Sequence, residues 1–311
     1  MPSRSWRWRG YRMSVELRRA DAVAGGALEP PGLPGGVTFA DPLPDLHVRA
    51  RDPAAAVAFV NLSPAGRPAA PGSGALARRV ASRSWYHTID LPGDVTTPGQ
   101  FDHRSVVARY GLPEDMAGLT ALDVATFDGF WAFEMERRGA RTTALDLPSV
   151  AGLDFPPEAR PALPAEVHQT SLGTGFRIAH DALGSSVRRV EGSVYDLDPG
   201  RVGRFDFVHV ADLLLHLERP LEALRRIRSV TAGRALISDA VTLDLPPGPA
   251  GPTTQYLGGW HDVVWWLPSL EVLAQMVIDA GFRTVRLHTA YKLAKTDQVE
   301  GLWRAVLLAE V

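Results

Sequence analysis

Two aspartates and a glycine surround a turn that follows a short apolar stretch near the middle of the chain. Asp123 and Asp128 lead into Gly129, and the amphipathic stretch at 131–138 predicts a helix directly after them. A further acid, Asp146, closes the next strand-like stretch. In a β-α-β unit, an acid at the tip of the second strand, roughly 20 residues past the glycine turn, can accept hydrogen bonds from ribose hydroxyls. These residues therefore predict a site for a nucleotide-like cofactor.

The residues of this turn also indicate which cofactor fits. Turns that bind dinucleotides carry the pattern G-x-G-x-x-G, because backbone amides must approach a pyrophosphate at the start of the helix. This turn has one glycine, and its two carboxylates would repel a pyrophosphate. They suit a cofactor with an ammonium group, a sulfonium and a ribose, which describes S-adenosyl-L-methionine (SAM).

Alternating strand-like and helix-like stretches must position these residues. The predicted strands lie at 122–124, 141–146, 187–191, 205–210, 234–239, 281–287 and 302–309, and the predicted helices at 131–138, 176–183, 220–230 and 267–280. This alternation predicts an α/β fold with a doubly wound, mostly parallel, seven-stranded Rossmann-like sheet that can end in an antiparallel pair. Ligands of such sheets bind beyond the carboxyl ends of the strands. The residues that fall at this edge are Asp123, Asp146, Ser193, Tyr195 and Asp212.

The first 83 residues differ in composition from the rest of the chain. They are rich in Ala, Pro, Gly and Arg and contain only weak helical pieces, whereas a strand is predicted at 85–91. We expect an N-terminal extension at 1–83 that acts as a lid or substrate-binding segment, and a catalytic domain at 84–311. A basic cluster near the start fits a solvated tail better than a nucleic-acid contact, and its members are Arg4, Arg7, Arg9 and Arg12.

The overall composition predicts a soluble enzyme. The 311 residues carry a formal net charge of −2, which gives no global attraction to nucleic acid. Cysteine is absent, so disulfides and thiolate chemistry are excluded. No apolar stretch reaches the roughly 20 residues that a membrane helix needs. We expect a cytoplasmic protein with a small-molecule substrate, and neither a nucleic acid nor a membrane as partner, while the sequence leaves the oligomeric state open.

Several short stretches together resemble a known family. They lie at 122–124, 144–146, 193–196 and 212–217, and more specifically at 85–87, 97–99, 127–130, 133–134 and 138–140. With these stretches, residues 84–311 resemble class I SAM-dependent methyltransferases, and more closely the family that includes the tRNA wobble-uridine carboxymethyltransferase and many small-molecule relatives. One departure is Ala125, which stands where the usual turn has its first glycine. Its extra methyl group can crowd the methionine part of SAM, which predicts weaker binding or a shifted loop.

The resemblance implies which residues contact SAM. The predicted set is Asp123, Ala125, Thr126, Phe127, Asp128, Gly129, Asp146, Leu147, Ser193, Val194, Tyr195, Asp212 and Leu213. Asp146 resembles the acid that binds the ribose, the segment 193–195 resembles the loop that flanks the adenine, and Asp212 would lie beside the methionine portion. Some roles have structural alternatives: Asp123 can hold its own loop, Asp146 can cap a helix and Tyr195 can pack in the core.

Three histidines are the candidates for a catalytic base. His87 lies in a Trp-Tyr-His cluster, His216 follows the fourth predicted strand, and His261 has Asp262 beside it as an orienting group. A base is needed when the methyl acceptor is a hydroxyl, an amide or an activated carbon, and histidine is the commonest choice near neutral pH. The alternatives are lid packing for His87 and a buried, hydrogen-bonded ring for His216. No pair of these histidines has the spacing H-x-x-x-H, so no metal site is expected.

Aromatic residues near the expected mouth of the site favour an organic substrate. The candidates for substrate binding are Trp85, Tyr86, Tyr256, Trp260, Trp265 and Trp266. Such side chains line cavities for planar ligands, stack an unpaired RNA base or pack in the core. The sequence therefore predicts a SAM-dependent methyltransferase of a small metabolite in specialised (natural-product) metabolism, acting by in-line displacement at the sulfonium methyl group. Three alternatives stay open: SAM-dependent alkylation with ring closure, modification of the tRNA wobble uridine, and a noncatalytic SAM-binding protein.

Overall fold

The computed structural model describes residues 5–8, 11–14, 74–248, 251–260, 263–298 and 300–311. The chain divides into two compact units, residues 1–51 and residues 52–311. In the first unit, β1 (Ser5–Trp8) and β2 (Tyr11–Ser14) form an antiparallel hairpin. The prediction of weak helical pieces is wrong for these two segments. In both of them arginine alternates with aromatic or apolar residues, which is the period of two that a strand favours.

In the second unit, the described chain begins with a helix and two small strand pairs. These elements are α1 (Ala75–Ala81), β3 (Trp85–His87), β4 (Asp90–Leu91), β5 (Val95–Thr96) and β6 (Gly99–Phe101). β3 pairs in parallel with β6, and β4 pairs with β5 in antiparallel fashion. The single strand predicted at 85–91 is therefore interrupted. The cause is Thr97, whose hydroxyl donates to the His87 carbonyl and accepts from the Ile89 amide, both at 2.7 Å.

A seven-stranded sheet forms the body of this unit. The remaining strands are, in chain order, β7 (Thr120–Val124), β8 (Arg141–Asp146), β9 (Arg188–Glu191), β10 (Phe205–Ala211), β11 (Thr231–Val241), β12 (Thr254–Tyr256), β13 (Trp266–Pro268), β14 (Thr284–Leu293) and β15 (Leu302–Glu310). The order across the sheet is β14-β15-β11-β10-β7-β8-β9, and β12 and β13 pair with each other outside it. The strands from β11 to β9 are parallel, while β15 runs antiparallel to both β11 and β14. The predicted α/β, mostly parallel sheet with an antiparallel end is confirmed.

Helices connect these strands. They are α2 (Phe130–Arg137), α3 (Ala165–Gln169), α4 (Thr174–Leu183), α5 (Pro199–Val202), α6 (Pro220–Val230) and α7 (Leu270–Asp279). Short 3-10 helices lie at His103–Ser105, Val107–Arg109, Val150–Gly152, Arg160–Ala162, Val194–Asp196 and Leu214–His216. α6 has the predicted bounds, with proline in its first turn. α7 begins three residues later than predicted, because the Ser269 side chain caps it by accepting from the Val272 amide.

β10 contributes to two of the hydrophobic clusters among the described residues of the second unit. Phe207 belongs to the cluster that contains Trp131 of α2, whereas Val208 and Val210 belong to the cluster that contains residues of α6 and α7. A strand that is covered on both faces carries an almost continuous apolar run, as predicted for 205–210. His209 interrupts this run and is fully buried. Such a residue needs a hydrogen-bond partner.

Candidate active site

A cavity of about 540 Å³ lies at the carboxyl ends of β7, β8 and β10. Its wall contains Ala125 just after β7, Asp146 at the end of β8 and Asp212 just after β10. Residues 83–87 and 192–195 also line it. Doubly wound sheets bind their ligands at this edge, and cavities of this volume accommodate small organic ligands.

The turn between β7 and α2 holds two residues in the left-handed backbone region. Ala125 has a φ of 60° and Phe127 a φ of 49°, and both line the cavity. A residue with a Cβ atom adopts this region at a cost of roughly 1–2 kcal/mol. Between them, the Thr126 amide donates to the Leu145 carbonyl at 3.1 Å, which ties the turn to β8. Ala125 thus occupies a backbone conformation that glycine adopts without strain.

Asp123 is hydrogen-bonded to protein groups through both carboxylate oxygens. The Thr126 hydroxyl donates to Oδ2 and His209 Nδ1 donates to Oδ1, each at 2.7 Å. Because the carboxylate only accepts, Nδ1 of His209 carries a proton, and Nε2 is hydrogen-bonded to the Tyr110 hydroxyl at 2.9 Å. The result is a buried Asp-His-Tyr chain, of which Asp123 and His209 line the cavity. The alternative role of Asp123, holding its own loop, agrees with this geometry.

Asp146 also uses both of its oxygens. Oδ2 accepts from the Phe127 amide at 2.6 Å, and Oδ1 accepts from the Leu147 amide at 2.7 Å. Burial raises the pKa of Asp146 to about 6, although these two amides act in the opposite direction. Each carboxylate oxygen keeps a further lone pair. Asp146 therefore holds the turn after β7 and still offers acceptors to hydroxyl groups in the cavity.

Ser193, Val194 and Tyr195 follow β9 and line the cavity together with Leu147. The Ser193 hydroxyl accepts from the Tyr195 amide at 3.2 Å and caps a 3-10 helix. The Tyr195 hydroxyl donates to Asp154 Oδ2 at 2.5 Å, and the Arg219 guanidinium lies 4.3 Å from the centre of the Tyr195 ring. These contacts fix the Tyr195 ring in the cavity wall.

Asp212 and Leu213 form a turn after β10, and both line the cavity. Asp212 has a φ of 47°, and Arg304 Nε lies 2.8 Å from each of its carboxylate oxygens. The Tyr86 hydroxyl donates to Oδ2 of Asp212 at 3.3 Å. Asp239 holds the turn by accepting from the Leu213 amide at 3.0 Å, and burial raises the pKa of Asp239 to about 7. The carboxylate of Asp212 is therefore half of an almost fully buried ion pair.

Some of the predicted SAM-binding residues do not line the cavity, namely Thr126, Asp128 and Gly129. Asp128 Oδ2 accepts from the amides of Tyr86 at 2.6 Å and His87 at 3.1 Å, so that this carboxylate attaches β3 to the turn before α2. Burial raises the pKa of Asp128 to about 6. Gly129 has a φ of 94°, and a Cβ atom there would lie 2.5 Å from the Phe133 ring. These residues therefore stabilise the turn before α2 without lining the cavity.

Of the predicted catalytic histidines, His87 and His216 line the cavity, whereas His261 lies outside the described residues. Burial is the main reason that the pKa of His87 is held well below its ordinary value. His216 Nδ1 lies 3.2 Å from the Val263 carbonyl oxygen. Because a carbonyl only accepts, Nδ1 of His216 carries a proton and donates to it.

The six predicted substrate-binding aromatics separate into two groups. Trp85, Tyr86 and Trp260 line the cavity, and Tyr256, Trp265 and Trp266 do not. The Trp265 and Trp266 indoles donate to the carbonyls of Asp154 and Glu218 at 2.7 and 3.3 Å, and Tyr256 is 64% exposed. Trp85 is almost fully buried, which also gives it a core role.

Sequence reasoning missed several residues of the site: Gln100, His103, Tyr110, Trp131, His209 and Arg304. Two of them carried a signal, because His209 and Arg304 interrupt apolar runs in predicted strands, and a buried polar group requires a partner. Tyr110 carried none, since its partner is 99 positions away.

The described residues provide neither a metal site nor a membrane-spanning helix. In that part of the chain no three or more His, Asp or Glu side chains are grouped so that they could hold a metal ion. Nor does it contain a helix of the length and apolarity required to span a membrane.

Known proteins resemble this chain in fold. No protein-family model and no curated protein matches it. Among solved structures, the N-terminal domain of EvdMO1 with S-adenosylhomocysteine (SAH) bound overlaps with a TM-score of 0.50 and 16% identity, over 76% of this chain and 95% of that chain. The fold is that of class I methyltransferases.

Two other solved structures overlap less extensively. Burkholderia thailandensis 1,6-didemethyltoxoflavin-N1-methyltransferase, bound to 1,6-didemethyltoxoflavin and SAH, has a TM-score of 0.41 and 21% identity, over 62% of this chain and 71% of that chain. Magnesium protoporphyrin IX methyltransferase from Synechocystis PCC 6803 with bound SAH has a TM-score of 0.44 and 15% identity, over 67% and 80% of the two chains.

Proposed function

We propose that the protein is a SAM-dependent methyltransferase that acts on a small organic molecule. The position of Asp146 carries the proposal: its carboxylate lies in the cavity wall at the end of β8, next to the turn that follows β7. An acid at this place is suited to bind ribose hydroxyls. The SAH bound in the overlapping EvdMO1 domain supports the same cofactor.

The chemistry of the cavity wall fits the parts of SAM. Asp146 would bind the ribose, the segment 193–195 would flank the adenine, and Ala125, Phe127 and Asp212 would lie along the methionine portion. SAM supplies a sulfonium methyl group that a nucleophile can take, and the electron pair of the broken bond remains on sulfur. Direct contacts from Thr126, Asp128 and Gly129 are not part of this proposal, because those residues do not line the cavity.

The side chains of the protein would then bind and orient the second substrate, exclude water and move a proton where the acceptor carries one. His216 is a proposed base, since it lines the cavity and its Nδ1 donates to the Val263 carbonyl. His87 stays neutral because of its lowered pKa. Both remain proposed catalytic residues, as does His261.

We also propose a substrate from specialised metabolism rather than a tRNA. Tyr86, Trp260 and Trp131 give the cavity aromatic walls, which suit a planar or apolar compound. A nucleic-acid substrate would favour a basic face, and the 33 Lys and Arg residues of this chain are balanced by 35 Asp and Glu residues. The closer likeness to the wobble-uridine family stays a prediction.

The proposal is tested by calorimetric titration with SAM and SAH. Asp146→Ala removes the acceptors for the ribose and also releases the amides of Phe127 and Leu147, so we expect at least about 100-fold weaker binding, given about 1.5–3 kcal/mol for a hydrogen bond to a charged group. Asp196→Ala, three residues after Ser193 and exposed, is the matched control and should leave the affinity unchanged. Equal affinities in wild type and Asp146→Ala would contradict the assignment.

Substrate class is tested separately. The protein is incubated with methyl-labelled SAM and either a metabolite extract or total tRNA. We expect label in the small-molecule fraction. Label that accumulates in tRNA, and whose transfer weakens steeply with salt, would support wobble-uridine modification instead.

A further inference from the structure

Two buried imidazoles, His87 and His103, stand side by side in the cavity wall. Their ring centres are 5.4 Å apart, and the residues are 5% and 2% exposed. Both line the cavity. His103 was not among the residues singled out by the sequence, and neither ring takes part in the chain of hydrogen bonds around Asp123.

In each ring the Nδ1 atom is enclosed by protein. Nδ1 of His87 and Nδ1 of His103 are buried and have no hydrogen-bond partner in the described part of the chain. Aromatic neighbours hold both rings in place: His87 stacks on Phe130 at 5.7 Å, and His103 meets Trp131 edge-on at 5.5 Å. Because Nδ1 is enclosed, Nε2 is the nitrogen that each ring can offer to a ligand.

The charge around the pair favours an uncharged ligand group. Burial lowers the pKa of His87 well below its ordinary value and that of His103 to about 3, with Arg304 adding to the effect on His103. The carboxylate of Asp212, which acts on His87, is already paired with Arg304 at 2.8 Å. An ammonium group would therefore meet two neutral rings and a neutralised carboxylate, and would lose its hydration without compensation.

A hydroxyl group matches two neutral imidazoles better than an ammonium group. A neutral ring carries one N–H, and a buried N–H without an acceptor costs free energy, so the unpartnered Nδ1 atoms favour a proton on Nε2 in both rings. A hydroxyl oxygen has two lone pairs and can accept from both Nε2–H groups. The neighbouring wall is aromatic, with the Tyr86 and Phe127 rings 5.3 Å apart and both lining the cavity, so a planar ring fits beside the pair.

We propose that His87 and His103 together form the binding site for a hydroxyl group of the second substrate, and that this substrate is a planar compound with a phenol-type or enol-type hydroxyl. The proposal rests on the proposed function, because it takes the remainder of the cavity as the SAM site. It makes His103 a substrate-binding residue.

The test uses the full chain with 15N-labelled imidazoles, saturated with SAH, and phenol as the probe. Toluene, which has the same ring without the hydroxyl, is the matched probe. We expect phenol to shift the Nε2 resonances of His87 and His103 in two-bond 1H–15N spectra, toluene to leave them in place, and His180 to respond to neither. His180 stacks on Phe176 in α4 and does not line the cavity.

Variants give a second measurement of the same site. His103→Phe should weaken phenol binding at least tenfold and leave toluene binding unchanged, whereas His103→Gln, which retains a polar group near the position of Nε2, should restore part of the affinity. His180→Phe should behave as wild type. If His103→Phe does not fold, the wild-type spectra still decide the question.

The outcomes separate this proposal from the one on which it rests. The hydroxyl site is overturned if the protein binds SAH but phenol does not shift the imidazole resonances, or if toluene shifts them equally. The methyltransferase proposal then remains intact. Absence of SAH binding by calorimetry overturns the methyltransferase proposal itself. Selective phenol shifts at both rings support the site.

Discussion

Ala125, Phe127 and Asp212 have positive φ angles without being glycine, and all three line the cavity. Strained backbone of this kind persists where surrounding contacts determine it, and it concentrates at functional sites. The Phe127 amide donates to Asp146, and the Asp212 amide donates to the Ser238 carbonyl at 2.9 Å. At the residue scale, the backbone strain therefore lies in the turns that follow the strands and line the cavity.

Ala125→Gly should stabilise the protein. The left-handed conformation costs alanine roughly 1–2 kcal/mol, and glycine adopts it without this cost. The more flexible unfolded state of the glycine variant offsets about half of the resulting gain in stability. We expect the free energy of unfolding to rise by about 0.5–1 kcal/mol in chemical denaturation. As a control, Ala182→Gly inside α4 should lower it by about 1 kcal/mol. Similar losses in both variants would show that Ala125 is not strained.

At the scale of elements, one carboxylate brings together three parts of the fold. Asp128 belongs to the turn before α2, accepts from two amides of β3, and lies so close to α4 that a Cβ atom at Gly175 would come within 2.1 Å of its Oδ1. β3 is not part of the central sheet. The position of Tyr86 and His87 in the cavity wall therefore depends on this acid.

Asp128→Ala should loosen β3 while the central sheet remains formed. The amides of Tyr86 and His87 lose their acceptor, so we expect their hydrogen exchange to accelerate at least tenfold, and the free energy of unfolding to fall by about 1–3 kcal/mol. Native-state hydrogen exchange read by mass spectrometry or NMR measures the first effect. The exposed Asp244 provides the control Asp244→Ala. Unchanged protection of the two β3 amides would show that other contacts hold the strand.

The elements were predictable to a larger extent than the contacts between their side chains. Hydrophobic runs placed the seven strands and gave α6 its bounds, and the rule that ligands bind at carboxyl ends located the cavity. Asp123 in the last part of β7 and Asp128 in the turn after it have the same residue type, yet only Asp123 reaches the cavity. The Asp212–Arg304 pair joins positions 92 residues apart. The spacing of apolar and polar residues within one segment does not indicate which distant side chain will contact a residue at the end of a strand.

At the scale of the whole molecule, two sets of buried groups in the described part of the chain respond to pH in opposite directions. Burial raises the pKa values of Asp128 and Asp146 to about 6 and that of Asp239 to about 7. It lowers the pKa values of His87 and His103. The acids bind protons more tightly in the folded state, so their contribution to stability is lost as pH rises from 3.8 through these folded values. The imidazoles bind protons more tightly in the unfolded state, so theirs is lost as pH falls below 6.5.

The two sets still oppose each other between pH 6.5 and about pH 7.5, because an unfolded imidazole with a pKa of 6.5 is half protonated at pH 6.5. The contribution of a single acid is therefore isolated by comparison with a variant that lacks it. We expect the free energy of unfolding of the wild type to fall between pH 6.5 and pH 8 relative to that of Asp239→Asn, because Asp239 has the highest folded pKa of the three acids. Denaturant unfolding at pH 6.5, 7.2 and 8 measures this decrease. Asp239→Asn has no proton to lose there, whereas Asp244→Asn should follow the pH dependence of the wild type. An identical pH dependence in the wild type and in Asp239→Asn would mean that Asp239 is already ionised in the folded protein at pH 6.5. The turn at Asp212 and Leu213 would then be held by a permanent buried charge.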